Sequence, residues 1–377
     1  MLNVSMKRNV FVSIQNAHTV ACEGYHQPYV QTTYEGLTAQ RTDKLFAFAA
    51  AQDGKVISVT DKAISVEYKD GTIEHCAIGR QYGESEGSTY PHDILPLRKQ
   101  GEKVEKGDVL AYNSGFYEID FLDPKKVVLK FHTVAEVAYE ESPHTHEDSC
   151  AISPALADKL RTKTTKVKKY IVRFKQNVHN VLKPSVEVSP DDVLMTIADE
   201  DIVGNGNFDA ESAATLSRYS KQSPTAGSSG TLDKVEVFYH GDVTDMSPSL
   251  RKLVNTTDAE LKRTHESLGR PGVTGRTDGD YSSKGRPLML DEAEVRFFIT
   301  VTNEIGDGDK GVFSNQLKTT VGEVMDYSMV TESGIPVAAR FGGRSALKRI
   351  VNSYAIIGTT TGNLMKLKEK MIEAYRS

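Results

Sequence analysis

The sequence predicts an α+β protein that is mostly β, with helices near its C-terminal end. Apolar and polar residues alternate in KVISV and AISVEY, within residues 46–68, and the turn dipeptides Asp53-Gly54 and Asp70-Gly71 accompany these strands. Toward the other end, apolar residues recur at helical spacing from Ala346 onward. The 377 residues, 38% of them hydrophobic, are enough for roughly two or three domains with their own cores.

Composition excludes several classes of protein. The net charge of −5 excludes a globally basic surface, so any contact with nucleic acid would come from local patches. Cys22, Cys76 and Cys150 are widely spaced, which predicts a reducing compartment and neither a disulfide framework nor a CxxC zinc site. No apolar run approaches the ~20 residues of a membrane span, and MLNVSMKRNV lacks the apolar region of a signal peptide. We therefore expect a soluble, intracellular protein without membrane contact.

The first 45 residues are polar and weakly periodic. Their glutamine, asparagine and tyrosine side chains, Gln15 among them, suit contacts with bases or sugars. The alternative is a surface segment that wraps a partner. After the hairpins, GEKVEKGDVLAY predicts a turn that closes a strand, and residues 125–141 predict one long alternating strand.

That strand leads into the polar cluster HTHEDSCAIS at residues 144–153. Its histidines and carboxylates could ligate a metal, but the HExxH spacing of zinc hydrolases is absent. A carboxylate pair, Glu147-Asp148, that supports Mg²⁺ held elsewhere is the more plausible interpretation, because Mg²⁺ prefers a few carboxylates together with waters and phosphates. NGNFDAES at 205–212 contains a single aspartate, Asp209, and is not predicted to be a catalytic metal site.

A basic run covers residues 159–175 and contains the strand-like segment KYIVRF. It is either a solvated face or a basic strand that faces nucleic acid or an acidic partner. Residues 217–230 and 269–287 are loops by composition. VEVFYH and EVRFFITV predict strands, and Ser247-Pro248 predicts the N-cap and first residue of a helix.

The stretch from Gly306 to Gly358 is rich in glycine and carries Lys310, Arg340 and Arg344. Glycine allows close backbone approach to a ligand, lysine supplies a point charge suited to phosphate, and a helix N-terminus favours anions. This pattern predicts glycine-bounded turns that bind polyphosphate or a nucleic-acid backbone. The alternative is a solvated basic turn beside an ordinary helix. A final helix, capped by Asn363, presents an apolar face that we expect a partner chain to cover.

Seven segments occur in an order that resembles a known family: GEKVEKGDVLA, HEDSCAIS, DDVLMTI, VRFFITV, DKGVFS, GIPV-AARFGG and ALKRI. They resemble the C-terminal half of the β subunit of multisubunit DNA-dependent RNA polymerases, and the resemblance covers roughly residues 10–358. The resemblance implies a split β subunit of a large bacteriophage.

The resemblance also implies a fold: a double-psi β-barrel built from two sequence halves and interrupted by a flap-like insertion. Residues 1–45 would be a polar N-terminal segment and residues 46–157 the first part of the barrel and hybrid-binding region. Residues 158–289 would form the insertion, residues 290–345 the second part of the barrel with the active-site loop, and residues 346–377 the helices that contact partner subunits.

Four residues match functional positions of that family. Glu147 and Asp148 match a Glu-Asp pair near the second Mg²⁺, Lys310 matches a lysine that contacts the RNA 3′ end, and Arg340 matches an arginine that binds the incoming triphosphate. We also expect Arg344 and Gln15 to contact nucleic acid or nucleotide. A second family lysine, some residues before Lys310, is absent here, so either Lys310 serves both purposes or another residue supplies that charge.

The implied activity is template-directed nucleotide addition by a complex. The Mg²⁺ cofactor would be held mainly by the partner β′-type subunit, so this chain alone would be inactive. The implied partners are N-terminal β-type and β′-type chains, the DNA template, RNA and nucleoside triphosphates. The implied location is the cytoplasm of the infected host cell, with packaging in the virion as an open alternative.

Two other functions are compatible with parts of the sequence. One is a non-catalytic phage structural protein that uses a barrel as an interaction module. The other is a lipoyl- or biotinyl-carrier-like protein, because VTDKAISV with Lys62 resembles the modified Asp-Lys-Ala hairpin of such domains. A carrier domain is much shorter than this chain.

Overall fold

The computed structural model describes residues 2–6, 19–29, 31, 33–85, 87–199, 223–314, 317–348 and 353–376. Gln15, the segment 205–212 and the first residues of the loop 217–230 lie outside these ranges. Among the described residues 40% lie in strands and 21% in helices, so the predicted mostly β class is confirmed. No helix in the described ranges has both the length and the apolar character to cross a membrane.

The strands and helices are numbered in chain order. The strands are β1 (Leu2–Met6), β2 (Ala47–Ala49), β3 (Gly54–Val59), β4 (Ala63–Tyr68), β5 (Ile73–Ala77), β6 (Gly79–Ser85), β7 (Ser88–Pro96), β8 (Lys103–Val104), β9 (Val109–Asn113), β10 (Tyr117–Ile119), β11 (Val127–Leu129), β12 (Thr133–Ala135), β13 (Val137–Tyr139), β14 (Ser149–Ile152), β15 (Thr162–Arg173), β16 (Asn177–His179), β17 (Val186–Val188), β18 (Thr196–Ala198), β19 (Gly230–His240), β20 (Ser282–Ser283), β21 (Arg286–Pro287), β22 (Glu292–Asn303), β23 (Lys310–Phe313), β24 (Leu317–Val324), β25 (Met329–Val330), β26 (Pro336–Val337) and β27 (Ala339–Phe341). The helices are α1 (Thr33–Leu37), α2 (Pro154–Lys159), α3 (Pro248–Ser267), α4 (Gly343–Leu347) and α5 (Ser353–Arg376).

The chain forms two compact units, each built from separate stretches of sequence. Unit 1 comprises Met1–Lys55, His92–Lys163 and Thr302–Ser377. Unit 2 comprises Val56–Pro91 and Thr164–Val301.

A mixed seven-stranded sheet is the centre of unit 1, in the order β12-β1-β23-β24-β14-β27-β13. β14 is parallel to β24 and antiparallel to β27, and the other pairings are antiparallel except that of β13 with β27. A smaller cluster in the same unit packs β2, β9, β10 and β11 together through Ala47, Val109, Tyr112, Tyr117 and Val127.

Unit 2 packs a sheet against helix α3. Strands β17, β19, β22 and β15 are neighbours in that order, and one face of the sheet carries the apolar residues of the core. Leu250 and Val254 of α3 are fully buried in that core. Ser247 caps α3 by accepting a hydrogen bond from the amide of Leu250, and Pro248 follows it, which confirms the predicted helix start.

Several predicted strands are confirmed. KYIVRF lies in β15, VEVFYH in β19 and EVRFFITV in β22. Asp70-Gly71 forms the turn between the paired strands β4 and β5, with Gly71 at φ +83°. A positive φ suits glycine because it has no Cβ.

Two predictions about strands and turns are wrong. Residues 125–141 form β11, β12 and β13 rather than one strand, because these segments pair with three different strands, β10, β1 and β27. Asp53-Gly54 is no hairpin turn, since β3 pairs through Gly54 with β8.

The final helix is also longer than predicted. Asn363 lies inside α5, which begins ten residues earlier at Ser353. Burial of Tyr354, Gly358 and Thr361 on one side of the helix offsets the low helix propensity of its glycines. Leu367, Met371, Ile372 and Tyr375 are exposed, as the predicted uncovered apolar face requires.

Candidate functional site

Lys310, Thr320 and Ser149 form one row across three neighbouring strands of the seven-stranded sheet. Lys310 pairs with Thr320 across β23 and β24, and Thr320 pairs with Ser149 across β24 and β14. The amide of Thr320 also donates a 2.9 Å hydrogen bond to the carbonyl oxygen of Asp148. Since neighbouring strands lie about 4.8 Å apart, the Cα atoms of Lys310 and Ser149 are roughly 10 Å apart.

Arg340 lies on the next strand and projects from the same face. It pairs with Ala151 of β14 and with Ala138 of β13. Opposite residues share a face, as do alternate residues of one strand. The register of β14 against β24 shifts between Cys150 and Ala151, where β24 carries one additional residue, Gly322. Because β14 itself has no additional residue there, Lys310, Ser149, Ala151 and Arg340 belong to one side of the sheet. The other side consists of buried residues: Leu317, Thr319, Val321, Cys150, Ile152 and Phe341.

The buried side excludes a reactive cysteine behind the row. Burial raises the pKa of the Cys150 thiol to about 11, although a hydrogen bond with Thr319 acts in the opposite direction. A buried thiol with a raised pKa is a poor nucleophile at neutral pH.

Arg340 is held inside the protein, and its prediction in a glycine-bounded turn is wrong. It is the central residue of β27 and only 7% exposed. Its Nε atom lies 3.0 Å from Oε2 of Glu140, and its Nη1 donates a hydrogen bond to the hydroxyl of Tyr327. The contact with Glu140 lacks hydrogen-bond geometry, so Nε–H has no hydrogen-bond partner in the described part of the chain. A guanidinium held in this way has a fixed orientation and a spare donor.

Lys310 is exposed at the first position of β23. The preceding turn is fixed by a hydrogen bond from the amide of Gly306 to Asp309 and by the positive φ of Gly308, +91°. Within the described ranges, Lys310 forms no ion pair with a carboxylate. Its backbone is therefore positioned by the sheet while its ammonium group remains available to a ligand.

The segment that carries the carboxylate pair passes very close to two glycines. A Cβ atom at Gly342 would lie 2.4 Å from the carbonyl oxygen of Thr145, and one at Gly322 would lie 2.8 Å from that of His144. Both positions therefore require glycine, for close backbone approach rather than for a turn. The cluster 144–148 is thus held between β24 and the start of α4.

Glu147 and Asp148 are both exposed, and Glu147 has an unusual backbone conformation. Its φ is +54°, a region that costs free energy for a residue with a Cβ. The hydroxyl of Ser345 donates to the carbonyl oxygen of Glu147 and lies 3.3 Å from Oδ1 of Asp148. No group of three or more metal-ligating side chains occurs among the described residues, so this pair would need ligands from elsewhere to bind Mg²⁺.

Arg344 is exposed on α4. The sequence predicts that the N-terminus of this helix binds an external anion, but a carboxylate of the chain itself already lies there. The amide of Arg344 donates a 2.7 Å hydrogen bond to Oε1 of Glu141. Glu141 therefore supplies the negative charge that this helix N-terminus favours.

The sequence did not reveal Tyr327, Glu140 or Ser345 as parts of this site. Ser345 and Glu147 are 198 residues apart, and only the pairing of β14 with β27 brings them together. Only Glu140 could have been suspected from the sequence, because it lies at the end of an alternating segment.

The carrier-protein alternative depends on an accessible Lys62. Lys62 lies in the turn after β3, and its Nζ is 2.5 Å from Oε1 of Glu260, which disfavours a freely accessible carrier lysine.

Comparisons with known proteins give a similarity at low sequence identity. No family model matches the chain. The chain is 26% identical over 321 residues to the DNA-directed RNA polymerase subunit beta of Rubrobacter xylanophilus. The match covers 82% of this chain and 25% of that protein, so the chain spans about a quarter of the length of the curated relative. The chain is thus similar to an RNA polymerase β subunit.

Proposed function

We propose that this chain is a β-type subunit fragment of a multisubunit DNA-directed RNA polymerase and contributes one half of its nucleotide-addition site. The observation that carries this proposal is the placement of Lys310 and Arg340 on one face of one sheet, on either side of the strand that follows Asp148. The similarity to a β subunit over most of the chain supports it independently.

The spacing of the two cations suits the reacting groups of nucleotide addition. Three strand spacings and two residues along the strand put their Cα atoms roughly 15 Å apart. Both side chains are long and can converge on a primer end and a triphosphate between them. Phosphoryl transfer depends mainly on positioning and on charge stabilisation, so cations held by a rigid sheet are suited to it.

The two cations would have different roles. Lys310, which is exposed and has no ion pair in the described part of the chain, contacts the RNA 3′ end and the reacting phosphate. Arg340 binds the incoming triphosphate through its spare Nε–H, and the phosphate takes the place of Glu140 as the negative partner. Glu140 is 48% exposed at its side chain, so it can turn toward solvent when the phosphate arrives.

Mg²⁺ fits this arrangement only if another chain supplies some of its ligands. Two exposed carboxylates at Glu147 and Asp148 can support an ion that also binds waters, phosphates and carboxylates of another chain. When bound, Mg²⁺ would stabilise the charge that develops on the attacking and leaving oxygens. In this proposal the β′-type partner holds most of its ligands, and Ser345 keeps Asp148 in place.

The larger architecture is part of the same proposal. The strands around β14, β24 and β27 would belong to a double-psi barrel formed from residues 46–157 and 290–345, and residues 158–289 would form a flap-like insertion. Gln15 and Arg344 would contact nucleic acid or nucleotide. The exposed apolar face of α5 would be covered by a partner subunit, and the chain would be a split β subunit of a large bacteriophage.

Reconstitution tests this proposal. The tagged chain, purified from the cells in which it is naturally made, should bring with it N-terminal β-type and β′-type chains, and the assembly should extend a primed RNA on a DNA template. The purified chain alone should incorporate no nucleotide. Incorporation by the chain alone, or a purified assembly that contains no polymerase chain, would contradict the proposal.

A further inference from the structure

The second half of helix α5 is exposed on every side. All residues from 366 to 376 are exposed, whereas Tyr354, Gly358 and Thr361 in the first half are buried. In proteins most of the stability of a helix comes from the packing of an apolar face. This half of α5 therefore lacks the packing that usually stabilises a helix, and contact with another surface would supply it.

Exposed apolar residues lie along one side of α5. Leu367, Met371 and Tyr375 follow one another at intervals of four residues, which places them on one face of a helix. Their exposed fractions are 53%, 64% and 93%. Ile356 is also exposed and lies about three turns earlier on the same side. These four residues form the α5 stripe, the kind of face against which a second helix packs.

The turn between β10 and β11 adds two large apolar side chains beside this helix. Phe121 is 68% exposed and Leu122 is 94% exposed. The Nζ of Lys368 lies 5.9 Å from the centre of the Phe121 ring and 5.4 Å from that of Tyr29. A cation over an aromatic ring is attracted to it, so Lys368 holds the turn and the helix next to each other.

Lysines flank the α5 stripe, and the carboxylates of this half of the helix lie behind it. At about 100° per residue, Lys368 is about 60° to one side of the centre of the stripe and Lys370 about 100° to the other. Glu369 and Glu373 are about 160° away, on the far side of the helix. Within the described ranges neither lysine forms an ion pair with a carboxylate. Both ammonium groups are therefore available to a carboxylate of another molecule.

The carboxylates of the neighbouring turn already have partners. Oδ1 of Asp120 accepts a 2.7 Å hydrogen bond from the amide of Leu122, and Oδ2 of Asp123 is 3.2 Å from Nζ of Lys126. Lys125 in the same turn is exposed. The surface around the stripe therefore carries more lysines than carboxylates.

We propose that this surface binds an amphipathic helix of a different protein chain, whose apolar residues pack on the α5 stripe and whose carboxylates contact Lys368 and Lys370. This inference rests on the proposed function in that the chain works within an assembly, and it specifies the chemistry of the partner's surface. A second copy of this chain fits less well. Its stripe is also flanked by lysines, so like charges would meet whether the two helices are parallel or antiparallel.

A lipid surface also fits less well. Thr360 lies four residues after Ile356, so a hydroxyl interrupts the apolar side of the helix. The net charge of −5 disfavours approach of the chain to anionic headgroups.

Cross-linking of the native assembly tests this proposal without reference to polymerase activity. The chain is purified with its bound partners from the cells in which it is naturally made, and a carbodiimide then joins lysines to carboxylates that are in contact. We expect Lys368 and Lys370 to be joined to Asp or Glu residues of another chain, in a segment whose apolar residues recur every three or four positions. An assembly in which neither lysine is joined to another chain would overturn the proposal.

Charge reversal measures the contribution of the lysines to binding of the cross-linked partner. Lys368→Glu combined with Lys370→Glu should weaken binding by about fivefold or more, because two attractions become repulsions. Lys370→Glu alone keeps the ring contacts of Lys368 and should give part of this loss. The matched control is Glu369→Lys combined with Glu373→Lys, two reversals on the far side of the same helix, which should leave affinity unchanged. Equal losses in the two double variants would overturn the proposal.

The apolar stripe is tested separately. Met371→Asp places a charge in the stripe and should release the partner chain during purification. Met289→Asp is the control, because Met289 is also exposed, at 58%, but lies in unit 2. Thermal unfolding of each variant establishes that it is folded, and release by both variants or by neither would contradict the proposal.

Two further outcomes would replace the proposed occupant with another. A dimer of the purified chain in light scattering that Met371→Asp abolishes would show that a second copy covers the stripe. Binding of the purified chain to vesicles of phosphatidylcholine and phosphatidylglycerol that Met371→Asp abolishes would show a lipid surface.

The identity of the cross-linked chain separates this inference from the proposed function. An acidic helix from a chain that is not a polymerase subunit would support the inference and contradict the proposed function. Polymerase chains that are bound but not joined to Lys368 or Lys370 would overturn the inference and leave the proposed function standing.

Discussion

The cations of the seven-stranded sheet in unit 1 and the lysines of strand β15 in unit 2 differ in how they are held. Arg340 is buried between Tyr327 and Glu140, and Lys310 begins a strand whose register fixes its backbone. Lys166, Lys168 and Lys169 lie on one strand instead, where successive side chains point to opposite sides of the sheet. The pairing of strands thus brings together two cations that are 30 residues apart in sequence, whereas a single strand keeps neighbouring lysines apart. Closeness in sequence is therefore a poor guide to which charges act on one ligand.

The largest expected effect tests whether position matters at Lys310. In the reconstituted complex, Lys310→Ala should lower the rate constant of bond formation by about 10²–10³, the usual loss when one preorganised donor is removed from such a site. The measurement is single-turnover extension of a primed RNA. Lys318→Ala removes a lysine from the same sheet face, one strand away, and should have little effect. Equal losses of rate in Lys310→Ala and Lys318→Ala would show that the position of Lys310 has no special importance for the reaction.

Arg340 should affect binding more than the chemical step. Arg340→Ala should raise the apparent KM for nucleotide by about tenfold or more, because a charge-assisted contact with the triphosphate is lost. The total loss should be smaller than that of Lys310→Ala, since no other family-matching lysine precedes Lys310. A change confined to the rate constant, with KM unaltered, would contradict the assignment of Arg340 to the triphosphate.

The close approach at Gly342 allows the position of the carboxylate segment to be disturbed directly. Gly342→Ala places a Cβ 2.4 Å from the carbonyl oxygen of Thr145, so the segment has to move. We expect a stability loss of about 1–3 kcal/mol, typical of overpacking, measured by chemical denaturation, and a higher Mg²⁺ requirement in the complex. Gly343→Ala is the control, because the nearest atom to its Cβ would be the Cβ of Tyr139, 3.9 Å away, which is an ordinary van der Waals contact. Similar results for both variants would show that the close approach is unimportant.

A smaller effect is expected at the partner of Arg340. Glu140→Gln removes the charge that competes with phosphate, so KM for nucleotide should fall, by roughly fivefold at most because the pair is partly exposed. Glu332→Gln, an exposed carboxylate in a loop, should leave KM unchanged. A rise in KM for Glu140→Gln would mean that Glu140 orients Arg340 rather than competing for it.

The sequence predicted those parts of the fold that depend on nearby residues. The period of EVRFFITV and the Ser247-Pro248 cap are local signals, and both led to correct elements. The division of residues 125–141 was not predictable, because it depends on strands that lie far away in sequence. Lys310, Arg340, Glu147 and Asp148 were found by resemblance, yet the contacts of Arg340 with Tyr327 and Glu140 follow only from the three-dimensional pairing.

The construction of unit 1 from three separate stretches has a consequence during protein synthesis. β14 pairs with β24 and β27, and Val4 of β1 pairs with Phe313 of β23. These pairings can form only after the strands near the C-terminal end have been synthesised. At about 5–20 residues per second, that wait is roughly 15–60 s for β1. The described strands of unit 2 are all translated before β23. Unit 2 can therefore fold while the edges of β14 are still unpaired, and the surface that carries Lys310 and Arg340 is assembled only after the ribosome has made β27.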